Sequence, residues 1–165
     1  MARKRKGEQV HGWLVVDKPL NMSSAKAVFY AKKYLNASKV GHGGTLDPMA
    51  SGVLPLAFGE ATKTVSYAAN KLKKYKFTIR WGEARDTDDL EGNIIDTSDE
   101  RPNVSSIRNI LKRFIGKINQ VPPIYSAIKI SGQRSYKLAR GGKDVVLNPR
   151  SVFIEDLDLI KVLSK

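Results

Sequence analysis

Apolar residues along this chain fall into short blocks, some alternating with polar residues and some spaced to line one face of a helix. The run His11–Asp17 is apolar throughout its middle and predicts a buried strand, ended by Lys18-Pro19. Ser23 or Ser24 can cap the helix expected from about Ala25 to Leu35. Val28, Ala31, Tyr34 and Leu35 can form one face of it, and Lys26, Lys32 and Lys33 lie on the polar face. Val53–Phe58 reads as a second buried strand and Gly59–Ala69 as a helix. Lys71–Trp81 alternates polar and apolar residues, which predicts a half-buried strand with a basic outer face and Tyr75 in or beside its apolar set. Ser105–Phe114 is amphipathic through Ile107, Ile110, Leu111 and Phe114, with Gly116 as its stop. Val121-Pro122-Pro123 breaks the chain. A strand Tyr125–Ile130, a turn at Ser131-Gly132, a short helix Ser135–Arg140 and a last strand over roughly Val152–Val162 complete the reading. No internal repeat or low-complexity segment interrupts it.

Charge narrows the partners. The chain carries 29 Lys and Arg against 16 Asp and Glu, a formal charge of +13. That balance argues for a polyanion, which RNA, DNA and anionic membrane surfaces all satisfy. No apolar run approaches the roughly 20 residues needed to span a bilayer. Residues 1–10 open with Arg3-Lys4-Arg5-Lys6 and no signal-type apolar core follows, so they read as a basic, solvated tail ahead of a domain over 11–165. With 165 residues, one domain can bury roughly 70% of its unfolded surface. The absence of cysteine removes disulfides, thiolate nucleophiles and cysteine zinc sites, and fits a reducing cytoplasm. His11 and His42 are the only histidines, too few for a histidine-rich metal site.

The candidate chemistry lies in Gly41-His42-Gly43-Gly44-Thr45-Leu46-Asp47-Pro48-Met49-Ala50-Ser51-Gly52-Val53-Leu54-Pro55. Three clustered glycines allow positive φ and a close backbone approach. Asp47-Pro48 looks like the start of a short helix that Gly52 would end. An isolated Asp-Pro is most often a turn or a cap, and an isolated His between glycines an exposed loop residue. No Gly-Lys-Ser/Thr follows the glycines, and Leu46 stands where a dinucleotide fingerprint needs its last glycine. The acidic segment Gly82–Gly92, with Asp86, Asp88, Asp89 and Glu91, lacks calcium-loop spacing and reads as a mobile loop.

The whole string resembles the catalytic motif of the TruB-type tRNA pseudouridine synthases, G-H-x-G-x-L-D-P-x-A-x-G-x-L-P, and fills every fixed position of it. Gly12–Ser24 resembles the family's first motif, a strand followed by Asp-Lys-Pro and Met-Ser-Ser, which the resemblance implies braces the active-site loop. Gly82–Gly92 and Pro122–Gly132 resemble two further family blocks, the second with Tyr125, Ser126 and Lys129 in register. The resemblance implies an α+β fold, a mixed, mostly antiparallel sheet flanked by helices. The strand–helix reading above is compatible with that fold without singling it out. It implies that Asp47 is catalytic, and that His42, Tyr75 and Lys18 serve the substrate, Tyr75 by stacking on the target uracil. The implied reaction converts the T-loop uridine of tRNA to pseudouridine with no cofactor and no metal, in a monomer acting on the T-arm. Asp47 would act as nucleophile on sugar or base, or as the base that removes a sugar proton.

The resemblance covers about residues 11–161. Family members continue into a Gly-Thr-Tyr-Ile-Arg motif, whose Arg pairs with the catalytic Asp, and many into a PUA domain. Neither follows here, as expected of a fragment, a truncated gene product or one part of a split enzyme. The rival expectation is a non-catalytic RNA-binding fragment of such an enzyme.

Overall fold

A computed structural model describes residues 7–69, 71–126, 128–142 and 144–163. The chain divides into two compact units, one ending at Lys76 and one beginning at Phe77. All laddered strand pairs among the described residues are antiparallel, and the helices are separate from them in sequence, so the class is α+β.

The first unit is built on β1 (Gly12–Lys18), β2 (Val40–His42) and β3 (Gly52–Phe58), in the order β1-β3-β2. Alternation along β3 sends Leu54, Leu56 and Phe58 to one face, where all three are buried. Val16 faces Leu54 and Leu14 faces Leu56 in the ladder. The helix α1 (Ser24–Tyr34) adds Ala27 to the same core, and Val28, Ala31, Val40 and Leu46 pack around it. Ser23 is the cap: its side chain accepts from the Lys26 amide at 3.2 Å. Tyr34 and Leu35, expected on the inner face, are exposed instead, because the smaller Ala27 and Ala31 already bring α1 close to β3. After β3 the expected helix begins as a 3₁₀ segment, Gly59–Thr64, before α2 (Val65–Ala69).

Two other expectations change in this unit. The tail expected over 1–10 is shorter, because Glu8 bridges to Ala37, donates its amide to Asn36 O at 2.6 Å and accepts from the Ser38 amide at 2.9 Å. Residues 1–6 lie outside the described residues. The alternating stretch from Lys71 onward is exposed from 71 to 80 and joins no ladder. Its side-chain pattern suits a strand, but a strand without a hydrogen-bonded neighbour has no face to bury.

Among the described residues the second unit holds three two-stranded ladders. The strands β4 (Glu83–Arg85) and β5 (Ile94–Thr97) enclose the acidic loop, which is tied across its ends by hydrogen bonds. Arg85 Nη1 donates to Gly92 O at 2.8 Å, and Asp86 accepts from the Asn93 amide at 2.9 Å. Asn103 caps α3 (Val104–Leu111) by accepting from the Ser106 amide, and Ile107 is buried beneath it. Gly116 opens β6 (Gly116–Gln120), which pairs with β9 (Arg150–Ile154). The last strand is thus shorter than expected, since pairing ends at Ile154, opposite Gly116, the first residue of β6. The strands β7 (Lys129–Ile130) and β8 (Gln133–Arg134) form a hairpin through Ser131-Gly132, and α4 (Ser135–Arg140) follows.

Candidate active site

Asp47 stands in the loop between β2 and β3 with its side chain exposed. The Ala50 amide donates to Asp47 O at 3.0 Å, which closes a turn over Asp47–Ala50. Proline at its second position suits that turn. The helix start expected at Asp47-Pro48 does not form, because β3 already begins at Gly52 and leaves no room for a helical turn. None of Gly41, Gly43 and Gly44 takes positive φ. What Gly43 supplies is close approach: it is buried, its amide donates to Pro55 O at 2.8 Å, and an added Cβ would lie 3.2 Å from Pro55 Cγ.

The loop is fixed on both sides of Asp47. The Ser24 hydroxyl accepts from the Leu46 amide and donates to the Leu46 carbonyl, each at 2.9 Å. Ser24 is only 3% exposed, so water competes little for these bonds. Beyond Asp47, the Asn21 amide donates to Pro48 O at 2.7 Å. The residues before and after the carboxylate are therefore both held by the turn that leads into α1, while the carboxylate points to solvent. The bracing implied for Gly12–Ser24 is thus made by Ser24 and Asn21, which sequence reasoning did not single out. The adjacent pair Ser23-Ser24 was the available signal, since one hydroxyl suffices to cap a helix and the second is left for other work.

Lys18, expected at the substrate, is fully buried at 0% exposure. Its ammonium donates to Pro19 O at 2.9 Å and Met22 O at 2.7 Å, which shapes the turn that carries Asn21 and Ser24. Burial of the ammonium demands such carbonyl partners and turns it away from any ligand in solvent. His42 lies in β2 opposite Leu56, half-buried. Its Nδ1 donates to Gly44 O at 2.8 Å, since a carbonyl oxygen can only accept. Tyr75 is 69% exposed, and among the described residues no hydrogen bond or ring contact joins it to the Asp47 loop. Ser24 is thus hydrogen-bonded to the Asp47 loop, His42 to the same loop at Gly44 and Lys18 to the turn before Ser24, while among the described residues no hydrogen bond joins Tyr75 to them. Among the described residues no group of three His, Asp or Glu side chains could hold a metal ion. None of the described helices is long and apolar enough to cross a membrane.

Residues 32–165 match the family model of the TruB family pseudouridylate synthase N-terminal domain. This chain belongs to the TruB family. The chain is 56% identical over 161 residues to tRNA pseudouridine synthase B of Rhodospirillum rubrum, covering 98% of itself and 52% of that protein. It is 56% identical over 152 residues to the protein of the same name from Anaplasma phagocytophilum, covering 92% of itself and 50% of that protein. Among solved structures, one chain of a Cbf5-Nop10-Gar1 complex is 31% identical with a TM-score of 0.49, over 72% of this chain and 31% of that one. The chain thus spans about half the length of the curated TruB relatives it matches.

Proposed function

We propose that this chain carries the catalytic loop of an enzyme that isomerises the T-loop uridine of tRNA to pseudouridine. The observation that carries the reading is the Gly41–Pro55 loop, complete in sequence and clamped at Leu46 and Pro48, on either side of the exposed Asp47. The reaction breaks N1–C1′, turns the uracil and joins C5 to C1′; the C5 proton leaves and N1 gains one. Electrons balance without a redox partner, so the reading needs no cofactor and no metal. Asp47 acts on the sugar or the base as nucleophile, or takes a sugar proton. His42 meets a displaced base, and Tyr75 stacks on the uracil. Lys18 serves the substrate indirectly, by holding the turn that clamps the loop. The enzyme acts as a monomer on the T-arm, in the cytoplasm. Extruding the uridine costs a few kcal/mol, which phosphate contacts from Lys71, Lys73, Lys74 and Lys76 offset.

Tritium release from tRNA labelled at C5 of uridine tests the reading. The chain should release tritium, and Asp47→Asn should lower release by about 10²–10⁴-fold or more, the range for losing one proton-transfer group. Binding of tRNA by Asp47→Asn should stay within about twofold, since an exposed carboxylate near RNA phosphates does not aid binding. Release by Asp47→Asn equal to the parent would sink the assignment. Retained binding with no release by either form would favour an RNA-binding fragment.

A further inference from the structure

The outer face of α1 is unlike a solvated helix face. The helix contains three lysines and no acidic residue. Lys26, Phe29, Tyr30 and Lys33 fall at the spacing that stacks them along one face. Phe29 is 59% exposed and Tyr34 91%, and Tyr30 is also exposed. These rings are ordered by one another: Phe29 and Tyr30 meet edge to face, with centroids 5.7 Å apart at 61°. Lys26 Nζ lies 5.9 Å from the Tyr30 centroid. At the C-terminal end of the helix, Phe29, Lys32, Lys33, Asn36 and Ala37 line a surface pocket of about 240 Å³. That is below the roughly 300–1,000 Å³ of small-molecule sites, and its lining combines one aromatic residue, Phe29, with two lysines.

We propose that this face is a second RNA contact, outside the Asp47 loop, in which one unpaired base stacks on Phe29 while flanking phosphates meet Lys32 and Lys33. Rings beside cations, with no carboxylate on the helix, match the two recognition elements of single-stranded RNA: a base's π-face and its phosphates. The charge of +13 on the whole chain favours the same partner over an acidic peptide docking in one place. The inference rests on the reading of the substrate as RNA but not on Asp47 being catalytic.

The test titrates a fluorescent, unmodified tRNA transcript with the full chain and three variants whose thermal melting matches the parent. Phe29→Leu keeps the bulk and loses the ring; it should weaken Kd roughly tenfold, and Phe29→Tyr should restore it. Lys32→Glu with Lys33→Glu should make the slope of log affinity against log salt shallower by about two. Tritium release at saturating RNA should be unchanged in all three. Variants that bind with the parent's Kd and salt slope would overturn the inference while leaving the Asp47 reading intact, as would a parent that binds no transcript. Release persisting in Asp47→Asn, with the α1 variants still weakened, would overturn the catalytic reading and leave the second contact standing.

Discussion

At the scale of single residues, the loop's accuracy depends on one hydroxyl. Ser24 makes two bonds to Leu46, and its removal leaves a buried amide and carbonyl without partners. Each bond contributes about 0.5–1.5 kcal/mol and an orphaned buried group costs about 1–3. Ser24→Ala should therefore lose about 1–3 kcal/mol in urea unfolding. It should also speed hydrogen exchange of the Leu46 amide far more than exchange in β1. Ser24→Thr keeps the hydroxyl and should recover most of both. If Ser24→Ala lowers stability without touching the Leu46 amide, the clamp is not what the serine supplies. The residue scale is also where sequence reading was weakest. Lys18 looked like a ligand-facing cation because Asp-Lys-Pro sits beside the catalytic motif, yet its ammonium is consumed by two carbonyls. Nothing in the spacing distinguishes a lysine pointing in from one pointing out. Asp47 was singled out only through the fifteen-position string, since Asp-Pro alone reads as a turn or a cap, and a turn is what forms.

Elements were legible where their pattern and their partner lie close in sequence. β1, α1 and β3 all sit within two residues of their expected bounds, because each buries its apolar face in the same local core. The stretch 71–81 shows the converse. Its alternation is regular, but no neighbouring strand is paired with it among the described residues, and the pattern alone cannot supply one. The outer face of α1 escaped notice for a related reason: a two-letter apolar code assigned Tyr34 inward and gave Phe29 and Tyr30 no role. Energetics follow the same division. Leu56 is fully buried at the centre of the ladder, so Leu56→Ala should cost about 2–5 kcal/mol. Gly59 joins β3 to the 3₁₀ segment at φ +53, and an added Cβ would overlap the Val10 carbonyl oxygen and the His11 ring. Gly59→Ala should therefore also destabilise, by at least the roughly 1 kcal/mol of a left-handed non-glycine residue. Equilibrium unfolding in urea measures both, and Val15→Ala on the open face of β1 should cost less than either.

For the whole molecule, the two compact units meet in sequence at Lys76 and Phe77, inside the exposed stretch 71–80. That stretch carries Lys71, Lys73, Lys74, Lys76 and Arg80 and joins no ladder. A protease needs an extended segment that can leave the surface, and such a segment opens at little free-energy cost. Trypsin should therefore cut at these five sites well before Lys32 or Lys33 in α1, where each cut requires a helical turn packed on the core to unfold. The same lysines are the proposed phosphate contacts, so a saturating unmodified tRNA transcript should slow these cuts. Raising salt should remove the protection steeply, because several counterions return to the RNA when the lysines let go. Early cutting at Lys32 or Lys33 would contradict the compactness of the first unit. Unprotected cutting between Lys71 and Arg80, with RNA demonstrably bound, would place the phosphates elsewhere and leave Tyr75 without neighbours to present it to the base.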